Sequence, residues 1–200
     1  MKQGFLIVFE GIDGTGKTTQ VRMLAGALRS RGHGVVETRE PTGGAYGKKI
    51  RQLYEDRSGV TKEEELRLFI ADRREHVENL IKPSLAEGKI VITDRYYFST
   101  AAYQGAAGHD PQQIIRDNEA FAPVPDLVFL LVLPVEVGIH RICNVRRDCL
   151  NDFEKEDSLK KVAKVFDSID YDYIERIDAT QTPEQVHEEV MRRLDRIFDK

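Results

Sequence analysis

The chain has no tryptophan, only two cysteines and no long hydrophobic run. No run approaches the roughly 18 consecutive apolar residues of a membrane-spanning helix, and Met1–Gly4 leads directly into an apolar stretch without a signal-peptide pattern. Cys143 and Cys149 are too few for a disulfide framework and do not have a four-ligand zinc spacing. We therefore expect a cytoplasmic protein with two free thiols.

The chain also lacks any excess of positive charge. Its 30 lysines and arginines face 34 aspartates and glutamates, a net charge of −4. A binder of nucleic acid that works by bulk positive potential is therefore not expected. With 40% apolar and 32% charged residues, the composition is that of an ordinary folded protein. The length predicts a single domain over residues 1–200, with neither nucleic acid nor membrane as a partner.

Short apolar runs alternate with segments of helical periodicity along the chain. The five runs are GFLIVFE, VVETRE, KIVITDRYY, PDLVFLLVL and YIERIDA. Strands that alternate with helices predict a three-layer α/β fold, in which helices flank a five-stranded parallel sheet. Ligands of such sheets bind beyond the carboxyl ends of the strands. The segments that follow the strands should therefore meet in one crevice.

Two further segments have a recognisable pattern. One lies between the second and third apolar runs, and the other follows the fourth run. Thr61 and Glu64 have the spacing of a capping box that opens a long helix, and Pro83 predicts its end. Residues 144–157 are dense in charge and predict a mobile surface segment. The predicted inward face of the long helix consists of Leu66, Phe69, Ile70, Arg73, Val77, Leu80 and Ile81.

The stretch FEGIDGTGKTTQ contains the pattern G-x-x-x-x-G-K-[ST] between a predicted strand and a predicted helix. In this context the backbone N–H groups of the loop and helix N-terminus point at phosphate oxygens. Lys17 adds a charge at the β- and γ-phosphates, and the Thr18 hydroxyl is placed for Mg²⁺. The residues predicted to bind the nucleotide here are Gly11, Ile12, Asp13, Gly14, Thr15, Gly16, Lys17, Thr18 and Thr19.

The phosphate loop alone does not identify the reaction, but other features narrow it. The Asn-Lys-x-Asp string of GTPases is absent, and the chain is too short for motor or transporter accessories. Asp94 and Arg95 end a predicted strand, where they can hold the Mg²⁺ shell and neutralise a phosphoryl group. Arg39 ends another strand. Two arginines at the crevice indicate a small kinase whose acceptor carries a phosphate.

Six blocks, in order, carry a family resemblance: FEGIDGTGKTTQ, TREP, LFIADRREHV, DRYYFSTAAYQG, PDLVFLLVL and IDATQTPEQV. At this spacing they resemble the thymidylate kinase family over essentially the whole chain. The resemblance implies a P-loop fold with a mobile lid. It further implies that a homodimer transfers the γ-phosphoryl group of MgATP to dTMP, giving dTDP and ADP.

The same resemblance implies roles for individual acceptor-side residues. Phe69 would stack on the thymine ring, and Arg73 would donate to its O4. An arginine donor at O4 disfavours cytosine, whose exocyclic amine is itself a donor. The other implied contacts place the dTMP phosphate on Arg39 and Arg95, the substrate near Asp13, the 2′ side of the sugar at Tyr103, and the base at Thr100 and Gln104.

On the donor side, the resemblance implies Mg²⁺ at Thr18 and Asp94 and adenine close to Ala179. The implied lid spans approximately residues 141–157. Because no arginine lies between Gly11 and Lys17, the catalytic lid arginine would be Arg146 or Arg147, with Arg141 as a third candidate. The implied catalytic set is Lys17, Asp13, Arg95, Arg146 and Arg147.

Two departures from the family pattern leave alternatives open. After TREP this chain has Thr42-Gly43-Gly44 where the family usually has Gly-Gly-Thr, so a different or broader nucleotide acceptor is one rival. The lid reads RRDCLNDFE, and its arginines are either catalytic or simply solvated charges. A catalytically weak, nucleotide-binding paralogue is the other rival.

Overall fold

A computed structural model describes residues 4–55, 57, 59–145 and 155–198 of the chain. The strands are β1 (Phe5–Glu10), β2 (Val35–Arg39), β3 (Ile90–Asp94), β4 (Leu127–Val132) and β5 (Ile174–Asp178). The helices are α1 (Lys17–Ser30), α2 (Ala45–Glu55), α3 (Lys62–His76), α4 (Lys82–Ala86), α5 (Tyr97–Ala106), α6 (Pro111–Glu119), α7 (Val135–Val145), α8 (Glu156–Ser168) and α9 (Pro183–Phe198).

The strands form one parallel sheet in the order β2-β3-β1-β4-β5, flanked by helices, which confirms the predicted fold class. The runs of β1, β3 and β4 are almost entirely buried, because a central parallel strand is covered on both faces. The register pairs Phe9 of β1 with Asp94 of β3. The phosphate loop and the Asp94-Arg95 pair therefore leave the sheet side by side.

Side chains cap three of the described helices, and the predicted capping box is one of these caps. Thr61 and Glu64 form the reciprocal capping box at α3, and Asp110 caps α6 by accepting from the Gln112 backbone N–H. Thr182 caps α9 in the same way. Each cap satisfies backbone N–H groups that have no partner within the helix.

The predicted end of the long helix at Pro83 is wrong. A π-helical turn, Val77–Ile81, follows α3, and Pro83 lies within the first two residues of α4. Proline is tolerated at that position because the first N–H groups of a helix have no intrahelical acceptor. The helical path therefore continues to Ala86.

The inward face of α3 is more polar than predicted. Its buried residues are Glu65, Asp72, Arg73 and His76, whereas Phe69 and Ile70 are only partly buried. The prediction is right for Arg73 and for the later Val77 and Ile81, which are fully buried. The polar residues are tolerated because each is hydrogen-bonded to another side chain.

Within the residues that the structure describes, no helix is both long and apolar enough to cross a membrane, and no group of three or more His, Cys, Asp or Glu side chains forms a metal cluster. Cys143 is an exposed free thiol. Of the predicted lid, residues 141–145 end α7, Lys155 immediately precedes α8, and residues 156–157 begin it. Cys149, Arg146 and Arg147 lie outside the described residues.

Candidate active site

A cleft of about 650 Å³ opens at the carboxyl edge of the sheet. Its lining includes the phosphate loop from Asp13 to Thr19, and Asp94 and Arg95 after β3. It also includes the residues that follow β2 and β5. The strand ends that the sequence predicted to converge therefore share one cavity, large enough for a small-molecule ligand.

The phosphate loop is shaped by backbone that needs glycine. Gly11, Gly14 and Gly16 all have positive φ angles, of 134°, 82° and 91°. A Cβ atom on Gly14 would lie 2.4 Å from the carbonyl oxygen of Gly138 in α7, so this turn packs directly on the backbone of that helix. The loop presents its N–H groups because the chain can turn this tightly only with glycine.

Lys17 folds back over the loop. Its Nζ donates to the Ile12 carbonyl oxygen at 2.8 Å, and the Thr15 hydroxyl donates to the same oxygen at 2.9 Å. Burial, with the nearby charge of Arg95, lowers the pKa of Lys17 to about 8. A phosphate oxygen would supply the negative partner that this ammonium group lacks among its hydrogen bonds.

Thr18 and Asp94 stand together at the edge of the loop. The Thr18 hydroxyl donates to Asp94 Oδ2 at 2.5 Å, and both residues line the cleft. A hydroxyl and a carboxylate beside a phosphate-binding loop are the hard oxygen ligands that Mg²⁺ takes together with water and phosphate oxygens. The two residues thus fit the predicted magnesium site.

Arg95 joins the end of β3 to the phosphate loop. Its Nη2 donates to Asp13 Oδ1 at 2.6 Å, while the Tyr103 hydroxyl donates to Asp13 Oδ2 at 2.6 Å. Although burial works to raise it, the charges of Arg95 and Lys17 hold the pKa of Asp13 well below its usual value. Asp13 is therefore a carboxylate that can orient a cation or accept hydrogen bonds at the centre of the cleft.

A buried carboxylate, Glu10, is linked to Arg95 through Ser99. Glu10 accepts from the backbone N–H groups of Tyr96 and Ser99 at 2.8 and 3.0 Å, and from the Ser99 hydroxyl. Arg95 Nη1 donates to Ser99 Oγ at 2.9 Å. Complete burial raises the pKa of Glu10 to about 7, against the hydrogen bonds from Ser99. The backbone of Arg95 has φ 73°, a conformation that costs free energy outside glycine and is held by this surrounding structure.

Three arginines from β2, from α2 and from the end of β3 line the cleft. Arg39 and Arg95 were predicted there, and Arg51 of α2 joins them. Arg51 Nη1 donates to the carbonyl oxygens of Pro41 and Thr42 at 3.2 and 2.7 Å. The sequence offered one signal for Arg51, since it is the arginine of the helix that follows β2. The contact also anchors the Thr42-Gly43-Gly44 loop to α2.

Arg73 lies fully buried beside this cleft. It donates from Nε and Nη2 to Glu40 Oε2 at 2.9 and 2.5 Å. Its Nη1 donates to Asn118 Oδ1 at 2.8 Å, and Nη2 donates to Thr100 Oγ1 at 2.9 Å. The other oxygen of Glu40 meets His76 Nδ1 at 3.0 Å. A buried guanidinium is stable only with partners of this kind, and its predicted contact with a base stays a prediction.

Comparison with known proteins fits this site. A thymidylate kinase family model matches residues 9–190. A protein of Desulfotalea psychrophila named thymidylate kinase is 53% identical, with 98% of this chain and 96% of the relative covered. Proteins of the same name from Akkermansia muciniphila and Brachyspira hyodysenteriae are 46% and 40% identical. The alignments cover 98% and 94% of this chain, and 94% and 92% of those relatives. The chain belongs to the thymidylate kinase family.

In this member of the thymidylate kinase family, the predicted base-side residues lie on two helices, α3 and α5. Among the described residues, the cleft lining does not include Phe69, Arg73, Thr100 or Gln104. Gln104 Nε2 instead donates to Glu65 Oε1 at 2.5 Å. The structure thus gathers these four residues at one helix pair, next to the phosphate-binding cleft and not on its wall.

On the opposite side, Arg141 reaches the loop after β5. It donates to the carbonyl oxygens of Ala179 and Thr180 at 2.8 and 3.3 Å. Ala179 lines the cleft next to the phosphate loop, where adenine was predicted. Arg141, the third candidate for the catalytic lid arginine, is therefore engaged in holding this loop. The roles of Arg146 and Arg147 remain predictions, because both lie outside the described residues.

Proposed function

We propose that this protein transfers the γ-phosphoryl group of MgATP to dTMP, forming dTDP and ADP. One observation carries the proposal. The cleft is lined by Lys17 and the phosphate loop and also by a second set of cations, Arg39, Arg51 and Arg95. Two sets of cations in one cleft suit two phosphate-bearing ligands, a donor and an acceptor. Family membership supports thymidylate as the acceptor.

The donor would bind through the loop N–H groups and Lys17. Thr18 and Asp94 would hold Mg²⁺, which supplies charge neutralisation at the β- and γ-phosphates. The adenine would lie near Ala179. These residues position the donor and lower its charge repulsion, which is most of what phosphoryl transfer requires of a protein.

The acceptor phosphate would lie on Arg39, Arg51 and Arg95. Asp13 holds Arg95 in place at the wall of the cleft. No strong general base would be required, because the acceptor phosphate is already anionic. Tyr103, fixed by its hydrogen bond to Asp13, would crowd the 2′ side of the sugar. A hydroxyl there would meet this ring, so ribonucleotides are disfavoured.

The base would lie between α3 and α5, stacked on Phe69 with Arg73 at O4 and with Thr100 and Gln104 facing it. Arg146 or Arg147 would add charge at the transferring phosphoryl group. The protein would act as a cytoplasmic homodimer. Partly buried apolar residues of α3, such as Leu68 and Ile70, supply surface for such an interface, and sedimentation equilibrium tests it.

The purified protein with MgATP and a panel of dTMP, dUMP, dCMP and dGMP tests the function. We expect dTMP to be phosphorylated fastest. The preference over dUMP should be modest, because one methyl group offers only about 1–3 kcal/mol. Faster turnover of another acceptor would refute the proposal, and nucleotide binding without turnover would indicate a non-catalytic paralogue. The named relatives favour neither rival.

A further inference from the structure

The side-chain amide of Gln104 is buried with one polar atom unpaired. Gln104 is 1% exposed, and its Nε2 is committed to Glu65. Within the described part of the chain, its Oε1 has no hydrogen-bond partner. A buried acceptor without a donor costs free energy, so such a group in a native site indicates a ligand or water that completes it.

Glu65 determines which way the amide faces. If the amide were flipped, its carbonyl oxygen would lie against a carboxylate oxygen, and two acceptors cannot hydrogen-bond. Glu65 is itself held from the far side, because Arg57 donates to it from Nε and Nη2 at 3.1 and 2.7 Å. The orientation of Gln104 therefore follows from the ion pair behind it.

The free oxygen belongs to the same helix pair as Arg73. Glu65, Phe69 and Arg73 recur every four residues on α3, and hence on one face. Two polar pairs cross from that face to α5: Arg73 bonds to Thr100, and Glu65 bonds to Gln104, one turn further along α5. Phe69 lies between them in sequence and is only partly buried. A planar base stacked on Phe69 would therefore have the Arg73–Thr100 pair at one edge and the Glu65–Gln104 pair at the other.

We propose that Glu65 is a positioning residue for base selection: it fixes the amide of Gln104, which the proposed function already places against the base, so that Oε1 and not Nε2 is available to the N3–H of a pyrimidine. This inference rests on the proposed function. Thymine carries N–H at N3 beside the O4 assigned to Arg73, whereas cytosine presents an unprotonated N3, an acceptor that would face an acceptor. Glu65 therefore contributes to the selection of the base through Gln104, without contacting the base itself.

Glu65→Gln tests the inference, because a neutral amide accepts either orientation of Gln104. We expect the ratio of kcat/KM for dTMP to that for dCMP to fall about ten-fold, through a higher KM for dTMP. The KM for ATP and the kcat should remain at their wild-type values. The matched control is Glu63→Gln, an exposed glutamate on the same helix, which should leave the ratio unchanged.

A double-mutant cycle separates positioning from general packing. In a Gln104→Ala background, Glu65→Gln should have no further effect on the ratio, because its route to the base is gone. Thermal unfolding checks that each variant is folded. If Glu65→Gln fails to fold, Glu65→Asp, which withdraws the carboxylate but keeps its charge, gives the same readout with a smaller fall.

An unchanged ratio in a folded Glu65 variant would overturn the inference, as would an equal fall with and without Gln104. Failure of the proposed function looks different. In that case the wild-type protein itself would show no preference for dTMP over dCMP, before any Glu65 variant is compared.

Discussion

Arg95 and Asp13 form an ion pair of 2.6 Å that joins the end of β3 to the phosphate loop, between residues 82 positions apart in the chain. The pair lies where the donor and acceptor phosphates of the proposed reaction would meet. It fixes the Arg95 guanidinium at the wall of the cleft. Such preorganised charge is generally the largest contribution a protein makes to transfer chemistry.

Arg95→Lys should lower kcat/KM for dTMP by about 10²–10³. A lysine keeps a positive charge but cannot contact Asp13, Ser99 and a phosphate together. Steady-state kinetics measures the loss. Arg29→Lys, at an exposed arginine paired with Glu37, is the control, and equal behaviour of the two variants would contradict a role for the guanidinium.

Glu10 should make stability depend on pH. The folded protein holds the proton up to a pKa of about 7, whereas the ordinary value is 4.5. The native state therefore binds more protons between these values, and the free energy of unfolding falls as pH rises through that window. Glu10→Gln should remove a fall on the order of 3 kcal/mol.

Urea unfolding at intervals between pH 4.5 and 8 measures this difference. Glu63→Gln, which changes an exposed carboxylate, should keep the wild-type slope. A Glu10→Gln variant with the same slope as wild type would show that Glu10 does not titrate in this range.

Arg73→Ala should raise the KM for dTMP and reduce the preference for dTMP over dCMP. It should also destabilise the fold by about 3–5 kcal/mol, because it leaves the buried carboxylate of Glu40 without its main cation. Adding Glu40→Gln should recover part of that stability but none of the base preference. Arg74→Ala is the neighbouring control, since Arg74 lies over the Phe121 ring and outside this network. An unchanged dTMP to dCMP ratio in Arg73→Ala would refute the assigned role.

Arg146→Ala and Arg147→Ala, made separately, should identify the lid arginine. Loss of a cation at the transferring phosphoryl group should lower kcat at least about 10³-fold in one of them. Arg141→Ala should instead raise the KM for ATP, because Arg141 holds the Ala179 loop. Full kcat in both lid variants would mean that neither arginine acts in transfer.

The sheet, its direction and the phosphate loop could be predicted from the sequence because each depends on local pattern. Buried strands read as short apolar runs, and the G-x-x-x-x-G-K-[ST] pattern requires a strand before it and a helix after it. Helix caps at Thr61, Asp110 and Thr182 were equally local. These features need no knowledge of distant contacts.

The polar face of α3 could not be predicted in the same way. Glu65 and His76 look like surface residues in sequence, and only their partners Gln104 and Glu40, 39 and 36 positions away, explain their burial. The support of Arg95 by Glu10 is another such case, because the two are brought together by strand pairing. Polar contacts between residues far apart in the chain produce no periodic pattern in the sequence.

The contact between Gly14 and Gly138 joins the phosphate loop to α7. With backbone against backbone, the phosphate loop and the start of α7 have no side chain at this point that could absorb a shift. A displacement of the loop backbone at Gly14 would therefore press directly on α7. A side chain at either glycine would force the two backbones apart, so both positions limit the residues that can occupy them.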